Sequence, residues 1–82
     1  MLQDFSAPDE EAGAEELQRA ILHAIEQLPD DLKQALTLRE LEGMSYDEIA
    51  LAMNCPIGTV RSRIFRARDH VVQEISQQFP GT

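Results

Sequence analysis

The apolar residues of this chain recur every three or four positions, which is the spacing typical of amphipathic helices. A first stripe spans about residues 14–28 and consists of Leu17, Ala20, Ile21, Ala24 and Leu28. A second stripe follows Pro29 and consists of Leu32, Ala35, Leu36 and either Leu38 or Leu41. Asp30 and Asp31 suit the first turn of the second helix, where negative charge interacts favourably with the helix dipole. Gly43 is expected to end this helix.

A short third helix is predicted over residues 45–53. It opens with Ser45-Tyr46-Asp47-Glu48, which has the S-x-x-E form of a capping box. Its buried stripe is expected to be Ile49, Ala50 and Met53. Asn54 is expected to stop the helix in a left-handed conformation, which asparagine tolerates better than most residues.

A fourth helix is predicted over about residues 57–78, with Pro56 at its start, where a missing N–H costs nothing. On a wheel of about 100° per residue, its apolar side chains share a sector of roughly 60°; they are Val60, Ile64, Ala67 and Val71. Beyond them, Val72, Ile75 and Phe79 are expected to pack on the first helix. Two helices joined by a three- or four-residue turn are typical of a helix-turn-helix.

These elements predict an all-α fold class, a four-helix domain over residues 14–79 that contains a helix-turn-helix. Residues 1–13 carry Ser, Pro, Gly, Ala and acidic residues without helical periodicity, so a flexible acidic linker is expected there. Residues 80–82 are expected to form a short tail.

Charge is distributed unevenly along the chain. The formal net charge is −8, with 15 acidic and 7 basic residues, whereas nucleic-acid-binding domains tend to be basic. Residues 56–68, however, hold four of the basic residues and no acidic one. The fourth helix can therefore present a locally positive surface on an acidic protein.

The fourth helix has the layout of a helix that enters a DNA groove. Opposite its apolar stripe lie Ser62, Phe65, Arg66 and Asp69, with Arg61 and Arg68 on one flank and Arg63 and His70 on the other. The outward residues can meet base edges while the flanking guanidinium groups reach phosphates. A single exposed phenylalanine is common on protein surfaces, but arginines around Phe65 favour nucleic acid. Gly58 lets the backbone approach either DNA or the preceding helix, and the sequence leaves both open.

Two runs in this region carry a specific pattern, LRELEGMSYDEIA over residues 38–50 and NCPIGTVRSRIFRAR over residues 54–68. They resemble the fourth conserved region of bacterial extracytoplasmic-function (ECF) sigma factors, in particular the envelope-stress branch. The resemblance covers about residues 15–72 without an obvious gap. The C-P-x-G-T-V-R-S-R-x-x-R-A-R pattern is far more specific than a general helix-turn-helix.

The resemblance implies recognition of the −35 element of double-stranded promoter DNA, commonly G-G-A-A-C-like in this branch, during transcription initiation. It also implies docking on the β-subunit flap of the RNA polymerase core, and masking by an anti-sigma factor. By position, the family's base-side residues match Ser62, Phe65 and Arg66. Its residues on or near the DNA backbone match Arg39, Tyr46, Thr59, Arg61 and Arg63.

In that family, this region is the C-terminal half of a longer protein whose other half reads the −10 element and grips the polymerase. The acidic opening of this chain resembles the linker between the two halves. We therefore expect an isolated domain that binds DNA weakly, with polymerase supplying the remaining affinity.

No enzyme activity, cofactor, metal site or small-molecule substrate is predicted. No Gly-rich phosphate loop follows a strand, and no nucleophile lies beside a histidine in a recognisable motif. Cys55 is the only cysteine, so it cannot form an internal disulfide, and His23 and His70 lack the spacing of metal ligands. The absence of a long apolar run and of a leader predicts no membrane insertion and a cytoplasmic location.

Two alternatives remain open. The first is a protein-interaction domain that docks polymerase or an anti-sigma factor without reading DNA sequence, with Val72, Ile75 and Phe79 as its apolar surface. The second is the helix-turn-helix output domain of response regulators, which shares the S-x-x-E-I-A and T-V patterns. The R-S-R-x-x-R-A-R run argues against the second, and comparing promoter DNA with scrambled DNA tests the first.

Overall fold

The computed structural model describes the backbone of residues 8–80 and the side chains of residues 13–80. These residues form four α-helices and no strand: α1 Pro8–Glu26, α2 Asp30–Glu40, α3 Tyr46–Met53 and α4 Ile57–Gln78. The predicted all-α fold class with a helix-turn-helix is confirmed, and α3 and α4 form that motif. Within the described part of the chain, no helix is both long enough and apolar enough to cross a membrane.

Helix α1 begins earlier than the apolar pattern indicated, at Pro8 rather than near residue 14. Proline suits the first position of a helix. Residues 8–13 of the predicted linker are therefore helical. Residues 1–7 of that linker, and 81–82 of the predicted tail, lie outside the described residues.

The core lies where all four helices meet. Its buried members are Ile25, Leu28, Leu32, Ala35, Leu36, Ile49, Val60, Ile64 and Ala67. The stripes of α2, α3 and α4 thus reach the core as predicted, through Leu36, Ile49 and Ile64 among others. Ile25 is a core residue that the predicted stripe of α1 omitted.

Three apolar residues of the predicted stripes are more exposed than expected. Leu17 is 38% exposed, Leu41 61% and Val72 61%. Leu41 is the C-cap of α2 and keeps helical backbone angles, so the helical period places it, nine residues after Leu32, on the opposite side of the helix. Val72 is not covered by α1, although Ile75 and Phe79 further along α4 are half-buried. These exposed side chains leave an apolar surface between the helices.

The connections on either side of α3 depend on two residues with positive φ. Gly43 has φ +71° in the turn after α2, which ends at Glu40 rather than at the glycine itself. Asn54 has φ 56° and ψ 52°, which confirms the predicted left-handed stop. The next N–H, that of Cys55, donates to the carbonyl oxygen of Ala50 at 3.0 Å, which is the hydrogen bond of a Schellman motif. The turn therefore directs the chain sharply into α4.

The predicted capping box at the start of α3 is confirmed. The Ser45 Oγ accepts from the backbone N–H of Glu48 at 3.1 Å, and the Glu48 Oε1 accepts from the backbone N–H of Ser45 at 2.8 Å. Two N–H groups that the helix leaves unpaired are thus satisfied.

We predict that Ser45→Ala lowers the free energy of unfolding by about 0.5–2 kcal/mol, because it removes the acceptor of the N-cap hydrogen bond. Urea denaturation followed by circular dichroism measures this difference. Ser76→Ala, at an exposed position in the last turn of α4, is the control and should change stability by no more than about 0.5 kcal/mol. Equal midpoints for wild type and Ser45→Ala would show that this cap does not stabilise the domain.

Candidate nucleic-acid interface

The residues predicted to lie on the base side of DNA share the outward face of α4. Their positions, 62, 65 and 66, place them within one turn of each other, because residues three and four apart are neighbours on a helix. Ser62 and Arg66 are exposed, and Phe65 is 72% exposed. On the opposite side, Val60 and Ile64 are buried and fix how the helix is rotated. We call Ser62, Phe65 and Arg66 the outward ridge.

The outward ridge is bounded toward the C-terminus by an acidic residue. Asp69 is exposed one turn beyond Arg66, and its Oδ2 accepts a hydrogen bond from the Gln73 side chain at 3.0 Å. A carboxylate repels phosphates, so on this outward face the surface that suits DNA is the N-terminal half of α4. This matches the position of base-reading residues in helix-turn-helix domains.

Gly58, in the first turn of α4, faces open space. A Cβ placed on it would meet no atom within 4 Å. Packing against the preceding helix therefore does not require a glycine here. Of the two alternatives that the sequence left open, the close approach of an external backbone is the one compatible with this geometry.

Among the predicted backbone-contacting residues, Arg61 is the one best placed to bind a ligand. Its side chain is exposed, with no hydrogen bond or ion pair to any part of the chain that the structure describes. Thr59 lies two residues before it, half-buried in the first turn of α4. Both lie close to the N-terminus of the helix, whose dipole also favours anions.

Arg63 has structural contacts that the sequence did not predict. Its Nε lies 3.7 Å from the Asp31 Oδ2 at the start of α2, and its Nη1 lies 3.8 Å from the Cys55 Sγ. Its side chain is only 24% exposed. Arg63 thus ties α4 to α2 and to the turn before α4.

Arg39 and Tyr46 lie on both sides of the turn between α2 and α3. The Arg39 Nη1 donates to the carbonyl oxygen of Met44 at 2.9 Å, and its Cζ lies 4.9 Å from the centre of the Tyr46 ring. Both residues are half-buried. This cation–π pair holds the turn in shape and leaves other guanidinium N–H groups of Arg39 for a phosphate.

Glu40 and Arg68 form an ion pair that the predicted site did not include. Arg68 on α4 donates through Nε and Nη2 to the Glu40 Oε2 at the end of α2. The hydrogen bond to Glu40 raises the pKa of Arg68. The negative charge of Glu40 raises it further, and so, to a smaller extent, does the Tyr46 side chain. The two residues are 28 positions apart, so no local sequence pattern could have indicated the pair.

An apolar groove of about 560 Å³ lies between α1, the end of α2 and the C-terminal half of α4. Four of its side chains are large, apolar and exposed: Leu17, Leu22, Leu41 and Val72. Glu40 and Arg68 also line it.

Among the described residues, no three His, Cys, Asp or Glu side chains are grouped as a metal site requires.

Comparison with known proteins finds one matching family profile and several proteins of similar sequence. A family profile described as "Sigma-70, region 4" matches residues 18–71. The ECF RNA polymerase sigma-E factor of Haemophilus influenzae is 54% identical over 74 residues, which cover 90% of this chain and 39% of that protein. The proteins of the same description from Salmonella typhimurium strain LT2 and Escherichia coli K12 are 51% identical, with the same coverage. The chain therefore spans about two fifths of the length of these relatives.

Proposed function

Because the chain belongs to the sigma-70 region 4 family, we propose that it recognises the −35 element of promoter DNA during transcription initiation. Helix α4 lies in the major groove and presents the outward ridge to the base edges. The observation that carries this proposal is the exposure of Ser62, Phe65 and Arg66 on one face, directly opposite the buried stripe of the same helix. Side chains of this kind read base edges in major grooves.

Each ridge residue has a distinct role in this proposal. Arg66 reads guanine, since its guanidinium group can donate to O6 and N7 together. Phe65 makes an apolar contact with a thymine methyl group, and the Ser62 hydroxyl can donate to or accept from a base. Residues near the start of α4 and on either side of the α2–α3 turn bind phosphates and so set the position of α4; they are Thr59, Arg61, Arg39 and Tyr46. Gly58 allows the DNA backbone to come close.

The direct test of this proposal is the affinity of the wild-type chain for two duplexes, one carrying a G-G-A-A-C-like −35 element and one with the same bases scrambled. Fluorescence anisotropy at a fixed, low salt concentration measures both. We expect tighter binding of the −35 duplex, because mismatched base pairs each cost about 1–3 kcal/mol. A protein-interaction domain that does not read DNA would bind both duplexes alike or neither.

We predict that Arg61→Ala weakens binding to both duplexes alike. It should lower the slope of log affinity against log salt by about one unit, since one phosphate contact is lost. Arg63→Ala should change the slope less, because in the free protein Arg63 is already paired with Asp31. A salt series on each variant measures the slopes. A changed sequence preference with an unchanged slope for Arg61→Ala would assign this residue to the bases instead.

We also propose that the apolar groove docks the flap of the polymerase β subunit. The groove exposes Leu17, Leu22, Leu41 and Val72 to solvent, and burial of such side chains favours association. The outward ridge contributes no residue to the groove, so the ridge can contact bases while the groove binds polymerase. Polymerase binding would offset the weak DNA affinity expected of a chain whose net charge is −8.

An anti-sigma factor that covers the groove would compete with polymerase, and we propose this as the mode of inhibition. Bacterial promoter DNA lies in the cytoplasm, so we also propose a cytoplasmic location. We further propose that α1 to α4, up to Phe79, act as one unit.

A further inference from the structure

The Glu40–Arg68 ion pair lies on a flank of the proposed DNA-binding helix. Arg68 is seven residues after Arg61, which places it about 20° away around the helix and about 10 Å further along the axis. The two arginines therefore face the same side. Glu40, the partner of Arg68, directly follows Arg39, which we also assign to the DNA backbone. Arg68 thus belongs by position to a flank that already holds proposed phosphate contacts.

The ion pair is accessible to solvent and to ligands. The Arg68 side chain is 51% exposed and the Glu40 side chain 44%. Two guanidinium nitrogens of Arg68 donate to a single carboxylate oxygen. A phosphate group offers the same kind of acceptor, an oxygen with negative charge that can take two N–H donors. Exposed ion pairs are weak in water, so a phosphate can displace the carboxylate.

We propose that Arg68 is a further phosphate-binding residue of the DNA interface, and that Glu40 competes with DNA for it. This inference rests on the proposed function. In the free protein Glu40 holds Arg68, and on DNA binding Arg68 moves from the carboxylate to a phosphate. The exchange leaves the Glu40 carboxylate without its ion-pair partner, so the new contact adds little to the affinity for DNA. Glu40 therefore lowers the affinity of the domain for all DNA sequences.

The exchange has a distinct effect on salt dependence. Neutralising one phosphate releases about one counterion from DNA, which steepens the slope of log affinity against log salt. In the wild type, the freed Glu40 carboxylate remains close to the DNA, and its negative charge offsets most of the neutralisation by Arg68, so fewer counterions are released. When position 40 carries no charge, Arg68 contributes its full share to the slope.

The test uses Glu40→Gln with Glu42→Gln as its matched control. Glu42 is an exposed acid two residues away, and the structure shows no ion pair of its side chain within the described residues. Both variants lose one negative charge, but only Glu40→Gln frees Arg68. We expect Glu40→Gln to bind the −35 and scrambled duplexes about twofold to fivefold more tightly than Glu42→Gln does. Its salt slope should be steeper by about one unit.

A double-mutant cycle then assigns the gain to Arg68. Arg68→Ala should weaken binding, by less in the wild type, where Glu40 offsets the phosphate contact, than in the Glu40→Gln background, where it should abolish both the tighter binding and the steeper slope. Thermal unfolding by circular dichroism shows that each variant is folded at the temperature of the assay. The inference is overturned if Glu40→Gln behaves like Glu42→Gln, or if its gain survives Arg68→Ala. If the wild type prefers the −35 duplex and either of these results is found, only this inference is wrong. If the wild type binds both duplexes equally, the proposed function is wrong.

Discussion

Replacing Arg66 with alanine is expected to weaken binding to a −35 duplex by about 1–3 kcal/mol and to remove the preference for guanine at one base pair. Arg66 lies in the middle of the outward ridge, exposed and beside Phe65 and Ser62. Its one side-chain hydrogen bond to the described residues is long, 3.5 Å from Nε to the carbonyl oxygen of Ser62. Its guanidinium group is therefore free to meet two acceptors of a guanine.

The experiment compares Arg66→Ala and Arg66→Lys on duplexes that vary one base pair at a time. Lysine keeps the charge but not the planar pair of donors, so Arg66→Lys should also lose the preference while retaining more affinity. Both variants should be as stable as the wild type, because the side chain is exposed. Equal losses on the −35 and scrambled duplexes would reassign Arg66 to a phosphate.

The second large effect is expected at the apolar groove. Val72→Glu should weaken binding to a purified fragment of the polymerase β flap about tenfold or more, since a charge buried in an apolar contact is costly. Val72 is 61% exposed in the free domain, so its replacement should barely change the stability of the fold. Biolayer interferometry with the immobilised fragment measures the affinity.

Leu51→Glu is the matched control for Val72→Glu. Leu51 is 83% exposed on α3 and does not line the groove, so the same charge is added elsewhere on the surface. This control should bind the flap fragment like the wild type. If both variants lose affinity equally, net charge rather than the groove governs binding. If neither does, the proposed docking surface is wrong.

The helix-turn-helix could be predicted from sequence because its signals are local. Ser45 and Glu48 are three residues apart, and Asn54 acts through its own φ and ψ. The start of α1 was missed, since its first turn has helix-start residues but no apolar periodicity. The helical period alone places Leu41 opposite Leu32, but the exposure of Val72 could not be predicted. A stripe shows that a side chain is apolar, but whether a neighbouring helix covers it depends on tertiary packing.

The same distinction applies to the candidate site. The helical period alone placed Phe65 and Arg66 opposite the core, and the structure has them there. The contacts of Arg63 with Asp31 and of Arg68 with Glu40 join α4 to α2. A sequence pattern along α4 contains no information about such partners. In the described structure, Arg63 and Arg68 of α4 are therefore in ion pairs, whereas Arg61 and Arg66 are not.

The most direct test of the central claim, that the outward ridge of α4 reads bases, is an NMR titration of the ¹⁵N-labelled chain that follows the arginine Nε–H signals. The Arg66 signal is expected to shift with the −35 duplex and much less with the scrambled duplex. The Arg61 signal should shift with both, because a phosphate contact is independent of sequence. Amides of the apolar groove, such as that of Leu22, should remain unchanged. An Arg66 signal that stays in place, or that shifts equally with the two duplexes, would contradict the claim.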